Sequence, residues 1–237
     1  MTRSVSRLAV AMAISLLAAG AASAQSTGRL YDAMPPANSS YLRVVSAGTA
    51  SVDVWVDTKL RARGLKGRTP SAYLILSSGA HNVQLRSGTK IVGATAVRTA
   101  GQAAYTVALP QGSATPVVFT DKLSSNKLKS VLAVYNLAPG AGALTVSTAD
   151  GKTKVFTGVR MGQPAVLEVN PIQVNLQVAG TAAKSAASLR MVPGGSYSVF
   201  ALPNGVNGLT TLTVQNTNER YLGNYTEAPN FKVWSHT

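Results

Sequence analysis

The sequence predicts an all-β protein: two tandem small β-sandwich domains, immunoglobulin-like or carbohydrate-binding-module-like, behind a cleaved leader. Three observations carry this. Beyond residue 24 the chain shows almost no helical periodicity and reads as short alternating runs broken by Gly, Pro, Asn and Ser. Four of those runs recur at nearly one offset. The first residues have the layout of an export signal.

The leader comes first in the chain. Arg3 and Arg7 form a positive region, Leu8 to Gly20 is an unbroken apolar run, and Ala22-Ser23-Ala24 supplies the small residues a signal peptidase reads. The run is shorter than the ~20 residues that span a bilayer, so residues 1–24 are expected to be a removed signal peptide and the remainder not membrane-spanning. The expected location is the periplasm. There is no cysteine, which excludes disulfides, thiolate metal sites, catalytic thiols and a lipidated N-terminal cysteine.

The first domain is expected over residues 25–119. Its strands are Tyr41 to Val45, Ser51 to Val56, Ala72 to Leu76, His81 to Leu85, Lys90 to Ala94 and Ala104 to Leu109. In the second run Val52, Val54 and Val56 share one face, and Asp53 and Trp55 the other. Val117-Val118-Phe119 is a candidate last strand, and the join falls within Pro110 to Ser130. The second domain, over residues 120–237, repeats the order. Leu42 and Leu132, Val52 and Leu144, Val83 and Val174, and Tyr105 and Tyr197 are matched at offsets of 90, 92, 91 and 92. A period this long marks duplicated domains rather than a solenoid. Asp150-Gly151 between two alternating runs signals a hairpin turn with positive φ at both central residues. Leu209 to Thr237 has no counterpart in the first copy, although Thr211 to Val214 can be a strand.

Chemistry is sparse. His81 matches Ile172 in the second copy, and His236 is the penultimate residue. Neither has a carboxylate neighbour in sequence, and no Gly-x-Ser-x-Gly appears, so no Ser-His-Asp catalyst is legible. Eight carboxylates are scattered, with Asp53 and Asp57 the one close pair, a weak basis for a calcium loop and too few for glycosidase chemistry. No catalytic residue, metal site or cofactor is expected.

Charge is the one polar pattern. Removal of Arg3 and Arg7 leaves 20 basic residues against 8 acidic ones, a net charge of +12. An exported chain of this charge favours an anionic polysaccharide or an acidic protein surface over nucleic acid. Lys59, Arg61, Arg63, Lys66 and Arg68 lie within ten positions between two strands of the first domain. They are either a solvated loop or a polyanion or partner contact, and the two readings weigh equally. Tyr221, Tyr225 and Trp234 concentrate aromatics in the tail. A tail folded over a core edge is the favoured reading, and an aromatic binding surface the alternative.

Several segments resemble the AlgF family, periplasmic accessory proteins of alginate O-acetylation. They are Leu30-Tyr31, Pro36 and Ser40-Tyr41-Leu42-Arg43-Val44; Thr148-Ala149-Asp150-Gly151-Lys152-Thr153; and, most specific, Val169-Asn170-Pro171-Ile172-Gln173-Val174-Asn175-Leu176. The opening motif departs at Asp32 and Ser46, where Gly and Asn are expected, and the tail after Asn218 lies beyond the likeness. The resemblance implies a non-catalytic role beside a membrane O-acyltransferase and periplasmic acetyltransferases that acetylate mannuronate. Three functions are therefore expected in order: an adaptor for exopolysaccharide O-acetylation, a stand-alone module binding anionic polyuronate, and an acetyltransferase or acetyl carrier with an unrecognised site.

Overall fold

The structure is a computed structural model that describes residues 34–221. The leader at residues 1–24, Tyr225, Trp234 and His236 lie outside the described residues.

Among these described residues sixteen strands form four four-stranded sheets. In the first copy β1 (Ser39–Ser46), β4 (Leu74–Ser77), β7 (Ala104–Leu109) and β8 (Val117–Asp121) make sheet I, in the order β4-β1-β7-β8. Sheet II has the order β3-β2-β5-β6, from β2 (Val52–Val56), β3 (Lys59–Leu65), β5 (Gly79–Ser87) and β6 (Lys90–Thr99). The second copy repeats both. Sheet III is β12-β9-β15-β16, from β9 (Ser130–Asn136), β12 (Ala165–Val169), β15 (Ser196–Asn204) and β16 (Gly208–Gln215). Sheet IV is β11-β10-β13-β14, from β10 (Leu144–Thr148), β11 (Lys154–Val159), β13 (Gln173–Ala179) and β14 (Lys184–Arg190). Even the parallel pairs correspond: β1 with β7 and β9 with β15. The duplication read from four segments is a duplication of topology.

Three expectations need correction. Residues 59–65 are not a loop but edge strand β3, because two register shifts against β2 turn Ala62 and Leu65 toward the core, masking the alternation in the sequence. Gly208–Gln215 does have a counterpart. Strand β16 pairs with β15 as β8 pairs with β7, with Asn216 opposite Ser196 where Asp121 is opposite Ala104. The Asp150 turn is not the expected one: only Gly151, at φ 72°, has positive φ, and Asp150 instead accepts from Thr148 Oγ1 and the Lys152 amide. The two-residue hairpin with both φ positive is Asp57-Thr58, at 50° and 70°, joining Val56 to Lys59.

Each copy has its own core. Leu42, Val44, Leu74 and Val107 of sheet I meet Val54, Val83 and Leu85 of sheet II. Leu132, Val134 and Val199 of sheet III meet Leu144, Val146, Leu176 and Val178 of sheet IV. A third core lies between the copies. The opposite faces of sheets I and III bury Val45, Ala108 and Phe119 against Ala133, Tyr135, Phe200 and Leu202. Strands β1 and β9 are thus covered on both faces, which is why residues 131–135 of β9 read as a continuous apolar run with little alternation.

Candidate functional site

The face of β1 that meets the second copy carries Val45 and, two residues before it, Arg43. An arginine is rarely buried without partners. Arg43 is 1% exposed, and every arm of its guanidinium is held. Nε donates to Thr106 Oγ1 at 2.8 Å, Nη1 to Asn216 Oδ1 at 2.7 Å and Nη2 to Ser198 Oγ at 2.9 Å. Tyr73, Tyr135 and Phe200 present their rings to it at 4.8, 5.2 and 5.0 Å.

The counter-ion is Asp121, the last residue of β8, with Oδ2 3.8 Å from Nη2. That carboxylate accepts hydroxyl hydrogen bonds from Tyr73 at 2.7 Å, Thr106 at 2.5 Å and Tyr135 at 2.6 Å. Burial first, and then the Asp121 charge, hold both phenols far above the ordinary tyrosine value, against the opposing pull of Arg43. They are fixed donors, not bases. The cluster has a pseudo-symmetry that the strand registers reveal: Thr106 and Asp121 of the first copy correspond to Ser198 and Asn216 of the second. One arginine is gripped by the same two positions from each copy. A cavity of about 60 Å³ lies beside it, lined by Arg43, Ser71, Tyr73 and Asn216.

A strap joins the copies at the next edge. After β16 the chain crosses to sheet I, where the Tyr73 amide donates to Thr217 O and the Glu219 amide to Tyr73 O. Glu219 Oε1 accepts from the Ile75 amide and from Arg61 Nη2, both at 2.6 Å. Burial lifts the Glu219 carboxyl above its ordinary value, outweighing the pull of those two donors. The strap covers an otherwise open strand edge.

The basic run is therefore divided. Arg61 is 6% exposed and committed to Glu219 and the Ile75 carbonyl. Arg68, with φ at 61°, donates to Pro203 O of the second copy. Lys59, Arg63 and Lys66 are exposed. Tyr221 is half-buried. Of these six residues, Arg61 and Arg68 are tied to partners within the fold, and Lys59, Arg63 and Lys66 stand at the surface.

His81 does have a carboxylate neighbour, in space. Its Nδ1 lies 2.5 Å from Asp57 Oδ2, and Nε2 lies 2.8 Å from Ser77 O. A carbonyl only accepts, so Nε2 carries a proton and offers no lone pair for base catalysis. The strand registers also shift its counterpart: Leu85 opposes Val54 as Val178 opposes Val146, so His81 corresponds to Val174 rather than Ile172. Asp53 and Asp57 do not act together, since Asp53 accepts from the Gly64 amide and Asp57 from His81 and the Asn82 amide. Among the described residues no three His, Cys, Asp or Glu side chains cluster to hold a metal, and no helix is long and apolar enough to cross a membrane.

Sequence reasoning missed the Arg43 cluster, whose partners come from residues 73 to 216. One local signal existed: a charged residue between Leu42 and Val44 whose same-face neighbour is Val45, in a run with no other charge.

Comparison with known proteins covers most of the chain. A family model described as alginate O-acetyl transferase AlgF matches residues 11–199. The alginate biosynthesis protein AlgF of Pseudomonas aeruginosa is 30% identical over 177 residues, covering 74% of this chain and 77% of that protein. Its namesake from Azotobacter vinelandii is 27% identical over 173 residues, covering 72% and 76%. Among solved structures, the C-terminal domain of AlgF from P. aeruginosa aligns with 28% identity over 38% of this chain and all of that one, at a TM-score of 0.33.

Proposed function

This chain belongs to the AlgF family, and from that premise we propose that it is a non-catalytic periplasmic adaptor for O-acetylation of an alginate-type exopolysaccharide. It holds the acetyltransferase components together or presents the polymer to them. The family description and the relatives' names supply the process. The geometry of the buried groups supports the adaptor role. His81 has a proton fixed on Nε2, the Asp121 carboxylate is enclosed by three hydroxyls, and both phenols of that cluster are held as donors. None of these groups is free to act as nucleophile or base. The periplasmic location rests on the signal read at residues 1–24.

The test is deletion in the native host, with acetyl content and yield of the secreted polymer measured together. Loss of acetyl groups at unchanged yield is expected, and normal acetylation would sink the proposal. The family description favours a second reading, an acetyltransferase. That reading requires the isolated protein to turn over an acetyl ester and to lose the activity on a point substitution.

A further inference from the structure

Sheet I has one edge that the chain closes with its own strap. Strand β4 pairs with β1 on one side only, and the amides and carbonyls of Tyr73 and Ile75 face the other way. The strap meets them in parallel, and its pairing stops at a single bridge, between Tyr73 and Asn218. In a continuing parallel ladder the Ile75 amide would donate to the Glu219 carbonyl, and the Ile75 carbonyl would accept from the amide two residues farther on. Side chains stand there instead. The Ile75 amide donates to Glu219 Oε1 at 2.6 Å, and the Ile75 carbonyl accepts from Arg61 Nη2 at 3.3 Å. Farther along, the Ser77 carbonyl is taken by His81 Nε2 at 2.8 Å. The stretch left to a pairing segment therefore runs from Tyr73 to Ile75.

Arg61 reaches this edge from sheet II. It is the extra residue of the β3 bulge, between Leu60, opposite Trp55, and Ala62, opposite Val54. Its side chain is turned inward and is 6% exposed. The second copy has Val155 at this place, one residue before Phe156, which opposes Val146 as Ala62 opposes Val54. The twin thus keeps an apolar side chain where the first copy has a cation. The guanidinium is incompletely held. Nη2 reaches Glu219 and the Ile75 carbonyl, but Nε is buried with no hydrogen-bond partner among the described residues. Buried donors are seldom left so. One oxygen of Glu219 serves both the Ile75 amide and Nη2, so the carboxylate does not lie side-on across Nε and Nη2. A segment that continued the ladder would give the Ile75 amide a backbone carbonyl. Its carboxylate would then be free to take Nε and Nη2 together. The strap makes only part of the bonds this edge offers.

We infer that the β4 edge from Tyr73 to Ile75 is a docking site for an extended, acidic segment of a protein partner, which pairs in parallel with β4, lays a carboxylate across Nε and Nη2 of Arg61, and displaces the strap. The inference deepens the component-holding side of the function proposed above and rests on that reading. The probe is a blocked, fluorescein-labelled heptapeptide, Thr-Val-Thr-Asn-Glu-Val-Thr, which keeps the Thr-Asn-Glu of the strap and continues as a strand. Titrated into the full chain, it should raise fluorescence polarisation saturably. Glutamine in place of the peptide's glutamate, or a methyl group on that residue's amide nitrogen, should each weaken binding about tenfold or more, by loss of the charged fork or of a ladder rung. Both changes lie in the peptide and leave the fold of the protein untouched. Glu219→Pro removes the strap's carboxylate and its amide donor, and should tighten peptide binding about tenfold or more by freeing the edge. No binding at millimolar peptide, equal affinity for either altered peptide, or unchanged affinity in a folded Glu219→Pro variant would each overturn the inference. So would equally tight binding of a peptide copying residues 215–221, which would make the strap a fixed cover. Failure here with reduced acetylation in the deletion strain leaves the adaptor standing through another surface. Binding here with normal acetylation overturns the adaptor and leaves a peptide-binding protein.

Discussion

Asp121→Asn is the sharpest probe of the junction between the two copies. The substitution keeps the shape and removes the charge. Arg43 then stays 1% exposed with no counter-ion, held by neutral groups and aromatic rings. Breaking a buried pair by removing one partner costs about 3–5 kcal/mol, because the remaining charge cannot reach water. The three hydroxyls that now donate to the carboxylate must also share an amide oxygen and turn one bond toward an amide N–H. For a chain of this size each kcal/mol moves Tm by roughly 2–4 °C, so the fall should be about 6–20 °C. Calorimetric or circular dichroism melts of parent and variant at pH 7 measure it. The double variant Arg43→Met/Asp121→Asn should lose less than the sum of the two single variants, since the uncompensated cation is gone. A single-variant loss below about 1 kcal/mol, or strict additivity in the cycle, would refute the reasoning, because the pair would then be solvated rather than enclosed.

Two further outcomes follow from the same geometry. Tyr73 and Tyr135 have folded-state values raised above the unfolded one, so their contribution is complete below about pH 10 and is lost as pH climbs. Absorbance titration of the eight tyrosines should show two that ionise only as the circular dichroism signal collapses, and a single wave with the fold intact would contradict this. Glu219→Ala should release the strap while leaving the sandwiches folded, at a stability cost of about 1–3 kcal/mol, because the buried Arg61 then keeps only the Ile75 carbonyl. Amide exchange at Tyr73 and Ile75 should accelerate, and unchanged protection would show that the backbone bonds alone hold the strap.

What the sequence revealed and what it hid divide along a physical line. Strands with one covered face were legible, since Val52, Val54 and Val56 alternate with their neighbours. The repeat was legible because both copies keep the same core positions. Strand β3 was not, because a bulge breaks its alternation and puts Arg61 inside. The His81 and Asp57 contact was hidden by a sequence separation of 24, and the grip on Arg43 by separations of up to 173. The charge run was visible as composition, but composition does not distinguish a buried arginine from an exposed one.

The grip on Arg43 has a consequence for fidelity of assembly. The position of Arg43 in the second copy is occupied by Ala133. Two first copies from different molecules meeting by this face would bring two guanidiniums to a site built for one. Two second copies would leave Ser198, Asn216 and Tyr135 without the cation they surround. Only a first copy against a second satisfies both surfaces, and the nearest such partner is always on the same chain. A duplication that began with like surfaces has thereby become a pair that recognises its sibling and rejects its double.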